Sequence, residues 1–407
     1  MRGLIGWAAG VLACVGSLPA LAQTVTQPPQ IPAGANHLEL TPSGEIVYDT
    51  DVARSDAQEA ALRGLQLSDE IYEPALAIDF LRAIGNQSVF LEGTGGYDYY
   101  GHDTVLDSAR INLTGGAQLR LASCQAAIYD NYAVAQTSLE DITSAAVHND
   151  RTDESLGLNA DCSRPIGVTP LLTVTTTWAT NSNPVLEVNN VRSTTVRGGV
   201  AYLQPALGQI SLIAQYETFD FPNRVIAPEP GAPTEAYRVY AGGVKFDHHI
   251  GARIETTLQF FYSNVQPNIP GGGAFSGPTY LADVSYHATS RITATLHAQQ
   301  DVEPSQQLGS TLTREQQYLG KLEYDVNPRL TLSGGGSYDN KAFEGTLLDP
   351  ALDLTSQQTT DVFGNAELHF ARRFVLILDA REENRRANLE AFSYASTRVS
   401  VTLEAHL

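Results

Sequence analysis

The sequence predicts an all-β fold: a transmembrane antiparallel β-barrel of about sixteen strands, within a range of about fourteen to eighteen, preceded by a short N-terminal extension. Three observations lead to this prediction. The chain begins with an export signal, it alternates apolar and polar residues from Ser88 onward, and its tight turns recur at intervals of about 40 residues. Each observation is justified below, in the order of the chain.

The N-terminus has the composition of a secretory signal peptide. One positive charge in Met1–Gly3 precedes an apolar run over Leu4–Leu18, and the small residues of Ala20–Ala22 suit cleavage. Residues 1–22 are therefore predicted to be a signal peptide, with a mature chain from Gln23. Lipidation of Cys14 is the alternative, which the bulky side chain two residues before it disfavours.

Composition excludes one class of partner and one way of crossing a membrane. The chain has 45 acidic and 25 basic residues and a formal net charge of -20, so it offers no basic patch to nucleic acid. After the signal no run approaches the ~20 apolar residues of a spanning helix. An exported chain of this kind is periplasmic, secreted, or inserted as strands in the outer membrane of the cell, and the strand pattern favours the last.

Residues 23–87 lack regular alternation. Prolines occupy the start of this segment, and Asp49–Leu67 has Ala, Glu, Arg and Leu at helix-compatible spacing. The segment is predicted to be a periplasmic extension, partly helical or disordered, with the barrel occupying residues 88–407. Tyr72–Ile84 fits either a further strand or a helix.

The alternation itself is clear in three segments. Arg253–Tyr262, Arg291–Gln300 and Arg398–Leu407 each place apolar side chains on one face and charged or hydroxyl side chains on the other. This period of two predicts strands with one apolar face. A soluble β-sandwich would show the same alternation, so further observations must decide.

The spacing of turns favours the membrane barrel. Between the tight turns lie longer connections rich in Pro and Gly, such as Phe221–Thr234 and Val265–Pro278. Short turns on the periplasmic rim and long loops on the outer rim are typical of outer-membrane barrels. The tight turns are predicted near Ser123, Arg164, Leu207, His249, Ser290, Pro328 and Arg372.

Aromatic residues fall on the apolar face close to those turns. Such rows predict the girdles that contact lipid and lipopolysaccharide at the membrane interfaces. The row beside the short turns contains Tyr202, Phe246, Tyr286, Tyr324, Phe370 and Phe374, and a second row contains Tyr240, Tyr280 and Tyr318.

The face opposite the apolar one is predicted to line the lumen. Charges of both signs alternate along it, which suits either a water-filled channel or an interior filled by paired charges. The candidate lumen-lining residues are Arg110, Arg120, Arg197, Lys245, Arg253, Glu255, Lys321, Glu323, Asp379, Arg381, Arg398 and Glu404.

The remaining chemistry is sparse. Cys124 and Cys162 flank two neighbouring predicted strands at the periplasmic rim, where they form either a disulfide or two free thiols. His248 and His249 lack the spacing of metal ligands, and no G-x-S-x-G nucleophile motif is present. The sequence therefore predicts no cofactor, no metal and no enzyme activity.

Four segments of the barrel region resemble porin-like outer-membrane β-barrel proteins of alphaproteobacteria that are associated with exopolysaccharide export: Ser88–Tyr100, Leu106–Ala126, Leu156–Pro170 and Ile210–Arg224. The resemblance implies a non-enzymatic channel component for polysaccharide export, with periplasmic export proteins and the barrel-assembly machinery as partners. A general diffusion porin and a structural or adhesive barrel are the alternatives. The chain departs from the usual barrel pattern at Leu407, where a terminal aromatic residue is expected.

Overall fold

The computed structural model describes residues 36–121, 123–137, 139, 148–162, 166–225, 234–251, 253–268, 273–305, 310, 312–344, 354–370 and 373–407. The predicted signal peptide of residues 1–22 and the start of the mature chain at Gln23 lie outside these residues. None of the helices described has the length and apolar composition needed to cross a bilayer.

A single antiparallel sheet of eighteen strands makes up nearly all of the described chain. Each strand pairs with its neighbours in sequence, and β1 also pairs with β18, so the sheet closes on itself. The strands are β1 His37–Asp49, β2 Asp69–Ile84, β3 Gln87–Tyr100, β4 Ser108–Leu121, β5 Cys124–Gln136, β6 Asp150–Asp161, β7 Gly167–Asn181, β8 Val191–Gln204, β9 Gly208–Val225, β10 Thr234–Ile250, β11 Ile254–Pro267, β12 Phe275–His287, β13 Ile292–Pro304, β14 Leu312–Asn327, β15 Leu330–Glu344, β16 Ser356–His369, β17 Phe374–Ala387 and β18 Tyr394–Ala405.

Closure is what allows this sheet to sit in lipid. Gly44 lies opposite Leu403 and Tyr48 opposite Val399, and the Leu407 amide donates to the Leu40 carbonyl at 3.0 Å. A closed sheet has no edge, so no row of backbone N–H and C=O groups faces hydrocarbon without a partner. The prediction of an all-β antiparallel barrel is confirmed, with eighteen strands inside the expected range.

The predicted boundary between extension and barrel is wrong. Barrel pairing begins at His37 rather than at Ser88, because both β1 and β2 belong to the sheet. Tyr72–Ile84, which fitted a strand or a helix, is part of β2. The helix-compatible spacing of Asp49–Leu67 corresponds to one short helix, α1 Ala57–Arg63, which lies in the connection between these two strands.

The connections divide into two rims as predicted. Turns such as Gly85–Asn86 and Pro328–Arg329 join strands at one rim, where β1 also begins and β18 ends. Longer connections join strands at the other rim, including residues 50–68, 137–149 and 182–190. In an outer-membrane barrel the short-turn rim faces the periplasm and the long-loop rim faces outward. Two of the predicted turn positions, Arg164 and Arg372, lie outside the described residues.

Alternation separates a lipid-facing surface from an inward one. On β11 the ring of Phe260 is 61% exposed, whereas that of its neighbour Phe261 is only 3% exposed. Most of the predicted girdle residues are exposed in the same way. In a closed barrel the exposed apolar face must be the outer surface, so the opposite face of each strand points into the interior. The exposed girdle residues are Tyr202, Tyr286, Tyr324, Phe370, Phe374, Tyr240 and Tyr318.

A disulfide joins the ends of the neighbouring strands β5 and β6 at the short-turn rim. The Sγ atoms of Cys124 and Cys162 are 2.06 Å apart. Cys124 is the first residue of β5, and Cys162 directly follows the end of β6, whose residue Asp161 pairs with Gln125. The bridge therefore fixes the periplasmic ends of two strands that already pair along their length.

Two adjacent glycines of β8 differ in the space around them, which gives a matched test of barrel packing. A Cβ on Gly199 would lie closer than 3.0 Å to the backbone carbonyl oxygen of Leu212, while a Cβ on Gly198 would meet nothing within 4 Å. Replacing Gly199 by alanine is therefore expected to cost about 1 to 3 kcal/mol, because backbone must move. Gly198→Ala should change stability by less than about 0.5 kcal/mol.

Urea unfolding of both variants in detergent micelles measures this difference. Equal midpoints for Gly199→Ala and Gly198→Ala would contradict the packing described for β8 and β9.

Candidate functional site

The inward face carries ion pairs that reach between strands which are not neighbours in the sheet. Arg110 on β4 contacts Glu73 on β2, with Nη2 2.7 Å from Oε2, and lies 3.4 Å from Asp98 on β3. Arg398 on β18 reaches the other carboxylate oxygen of Glu73 at 3.2 Å and Glu45 on β1 at 4.0 Å. We call these five residues the Glu73 cluster.

Glu73 occupies the centre of this cluster. Its side chain is 5% exposed, and its two carboxylate oxygens each face an arginine. β1 and β3 separate Glu73 from the strands of its two partners, so these contacts reach across an intervening strand on the inward face, where Glu73 is buried. The arrangement brings together Arg110 and Arg398, two of the predicted lumen-lining residues.

A second ion pair on the inward face joins β17 to β16. Arg381 on β17 donates from Nε to Asp361 Oδ1 at 2.7 Å and from Nη2 to Oδ2 at 2.5 Å. Ser337 on β15 also donates to this carboxylate, at 3.1 Å. Asp379 lies two residues before Arg381 and so shares its inward face.

Another wall of the barrel holds Arg197 on β8. Its Nε and Nη2 both donate to Gln215 Oε1, at 3.0 and 2.6 Å, and its guanidinium lies 5.8 Å from the ring centre of Phe261. The neighbouring carboxylate of Glu217 accepts from Thr195 at 2.7 Å and from Gln215 Nε2 at 3.1 Å. Arg197 is thus held between a polar partner on β9 and an aromatic partner on β11.

The remaining predicted residues lie in smaller pairs or toward the short-turn rim. Lys245 pairs with Asp247, and Lys321 with Glu323, each at 3.1 Å along a single strand. Glu255 lies 3.7 Å from His249. The other three are Arg120, Arg253 and Glu404. Arg120 lies opposite Gln125, and Glu404 lies opposite Ser43. The backbone carbonyl of Arg253 accepts a hydrogen bond from the His287 amide.

The outer mouth is the second feature of the site. We use this name for the long-loop end of the barrel, where residues 50–68, which join β1 and β2, lie near the described residues of the β3–β4, β5–β6, β7–β8 and β13–β14 connections. Six side chains from the first four of these segments form one buried apolar cluster. The cluster consists of Ala53, Ala60, Leu65, Leu106, Leu139 and Leu186.

A second set of contacts joins the connections of the outer mouth, and it is centred on Arg224 near the end of β9. Arg224 donates from Nη2 to Asn189 Oδ1 in the β7–β8 connection and to the Ser305 carbonyl in the β13–β14 connection, both at 2.8 Å. Its guanidinium lies 4.1 Å from the ring centre of Phe221 and 3.6 Å from Glu235. Arg224 therefore links two connections that come from well-separated strands.

Two of the principal residues of this site were missed by the sequence prediction. Glu73 lies in the segment predicted to be a periplasmic extension, and Arg224, near the end of β9, lies in Phe221–Thr234, which was predicted to be a long connection. The charges next to Tyr72 could have signalled an inward-facing strand, but the alternation around them is weak.

Asp51 makes the packing of residues 50–68 sensitive to pH. Burial raises the pKa of its carboxyl from 3.8 to about 6, and Asp49 raises it too, while the Arg54 guanidinium lowers it. Because the packed loop holds this proton more tightly than an exposed loop would, the contribution of Asp51 to the packing is fully present below pH 4 and is lost as the pH rises through 6.

Amide hydrogen exchange in α1 measures this effect. After correction for the intrinsic rate, protection should be lower at pH 7.5 than at pH 5, and Asp51→Asn should remove the difference. The same pH dependence in Asp51→Asn would show that the Asp51 carboxyl is not its source.

Comparison with known proteins agrees with this fold. The family model described as "Putative beta-barrel porin 2" matches residues 236–407. A BenF-like porin from Pseudomonas fluorescens Pf-5 is 12% identical, with 92% of this chain and 100% of that chain covered and a TM-score of 0.51. OccK2 (OpdF) from Pseudomonas aeruginosa is also 12% identical, with 92% and 99% covered and a TM-score of 0.50. No curated protein matches the sequence significantly.

These likenesses define the class of protein. The chain is a porin-like β-barrel of the outer membrane, with the closed antiparallel architecture that this class uses to cross lipid.

Proposed function

We propose that this barrel is a passive, non-catalytic channel for small hydrophilic solutes. The observation that carries the proposal is the Glu73 cluster, whose ion pairs reach across the inward face between strands that do not touch. Barrels of sixteen to eighteen strands usually enclose an aqueous channel rather than a lumen filled by side chains. Charged walls hold water and so favour passage of polar solutes over apolar ones.

The outer mouth limits the size of those solutes. Its connections pack against each other through the buried cluster around Leu139 and through Arg224, so they narrow the opening rather than standing away from it. A channel narrowed in this way favours ions and small metabolites over folded or branched polymers.

The charge of the walls favours cations. In the Glu73 cluster three carboxylates surround two arginines, and Asp361 and Asp379 stand beside the single guanidinium of Arg381. Rings of like charge at a narrow point select ions of the opposite sign. We therefore expect a modest preference for cations over anions of the same size.

Liposome swelling tests the proposal directly. Vesicles containing the refolded barrel should swell in solutions of small sugars and amino acids, at rates that fall steeply as solute size increases. Vesicles with heat-denatured protein serve as the control. Swelling no faster than in that control, for solutes of every size, would contradict a solute channel.

Export of an extracellular polysaccharide stays a prediction, supported by the sequence resemblance alone. It would bring periplasmic export proteins as partners, in addition to the lipids, lipopolysaccharide and assembly machinery that a barrel of this class would meet. Deleting the gene and measuring polysaccharide outside the cell tests it. Normal secretion by the deletion strain would reject export and leave the small-solute channel in place.

A further inference from the structure

Residues 50–68 form a small folded unit rather than an open loop. The Asp56 carboxylate accepts from the Glu59 amide at 2.7 Å and caps the start of α1, and Gly64, at φ +72°, ends it in the left-handed conformation. The Val52 amide donates to the Leu67 carbonyl at 2.7 Å, which closes the base of the unit.

This unit reaches across the outer mouth. At one side the guanidinium of Arg54 lies 5.6 Å from the ring centre of Tyr394, the first residue of β18. At the other side the buried cluster includes Leu186, from the β7–β8 connection. At ~4.8 Å between neighbouring strands, the wall from β18 round to β7 is roughly 35 Å long. Ala53, Ala60 and Leu65 of the unit are buried in the same cluster as Leu186, so the unit packs inward over the end of the barrel between these two parts of the wall.

Arg63 fastens the unit in that position. Its side chain is 1% exposed, and Nη1 donates to the carbonyl of Ala53 at 3.1 Å and to that of Leu139 at 3.2 Å. Nε donates to Glu59 Oε1 at 3.3 Å. One guanidinium thus joins α1, the start of its own loop and the β5–β6 connection. Removing it would leave buried carbonyl groups without a donor.

We propose that residues 50–68 are the size-selecting constriction of the channel and that Arg63 is the positioning residue that holds them across the outer mouth. This inference rests on the proposed channel function. It assigns the limit on solute size to the first outer connection of the barrel.

Excision of the unit is the first test. Val52 and Leu67 already lie within hydrogen-bond distance, so residues 53–66 can be replaced by a Gly-Gly turn without moving β1 or β2. The variant should fold, as judged by its heat-modifiable mobility in gels. Its single-channel conductance should exceed that of the wild-type protein several-fold, and it should admit larger solutes in the swelling assay.

Point variants separate the role of Arg63 from that of the loop as a whole. Arg63→Ala should raise conductance and strongly reduce amide protection in α1 while leaving protection in the barrel strands unchanged. Leu207→Ala is the control, because this side chain lies in the short turn between β8 and β9 at the opposite rim, is 54% exposed and should change neither value.

The outcomes distinguish the two proposals. If wild-type protein conducts and both the excision and Arg63→Ala variants give the wild-type conductance, the loop is not the constriction, although the channel stands. If no folded variant conducts, the channel function is wrong and the inference is overturned with it.

Discussion

Replacing Glu73 by glutamine is expected to lower the stability of the folded barrel by about 2 kcal/mol, because a buried carboxylate loses its charge-assisted contacts while Asp98 and Glu45 still lie beside the two arginines. Here two charges are affected, since Arg110 and Arg398 each contact a different oxygen of this carboxylate. Glutamine keeps the size of the side chain, so the change is one of charge and not of packing.

The same substitution should also change the ion selectivity of the channel. With Glu73 neutral, the two arginines of the Glu73 cluster balance the two remaining carboxylates, Asp98 and Glu45, so that part of the wall loses its net negative charge and the reversal potential in a salt gradient should shift toward anions. Urea unfolding in micelles measures the first effect, and planar-bilayer recordings measure the second.

Glu323→Gln is the matched control for Glu73→Gln. Glu323 pairs with Lys321 at 3.1 Å along one strand, and both side chains are about one third exposed, so its loss should cost less than about 1 kcal/mol. Equal losses of stability in the two variants would contradict the special position of Glu73.

The second large effect is expected from the disulfide. Cys124 and Cys162 are 38 residues apart in sequence, and a cross-link over a loop of this size contributes about 4 kcal/mol when it restricts the unfolded chain. The double substitution Cys124→Ser and Cys162→Ser should therefore lower the unfolding midpoint, and reduction should do the same to the wild-type protein.

A thiol reagent completes that experiment. Protein purified from membranes should take up no alkylating label before reduction and two labels after it, while the double variant should be insensitive to reductant. Two freely labelled thiols in the unreduced protein, or a midpoint that does not respond to reduction, would show that the bridge does not form in the membrane.

The fold was predictable wherever one face of a strand is uniformly apolar. Arg253–Tyr262 alternates cleanly, and it is part of β11 and its preceding turn, as the sequence indicates. There are physical reasons why β1 was not predicted and why Tyr72–Ile84 of β2 was left open between strand and helix. In β1 the sequence Pro42-Ser43-Gly44 interrupts the alternation, and in β2 apolar residues occur on both faces, with Ile71 inward and Tyr72 outward.

The candidate site was predictable by residue type but not by pairing. Alternation is enough to place Arg110 and Arg398 on the inward face. Their shared contact with Glu73 depends on how far the strands are staggered around the barrel, which alternation along one strand does not determine. The contact of Arg63 with the Leu139 carbonyl could not be predicted, because a backbone acceptor in a distant loop leaves no pattern in the sequence.

Single-channel recording of the wild-type protein in planar bilayers tests the central claim most directly. A solute channel with acidic walls predicts discrete conductance steps and a reversal potential that indicates cation preference. A barrel that is folded, as shown by heat-modifiable mobility, and inserted, as shown by protection from protease, but that gives no conductance steps would contradict it.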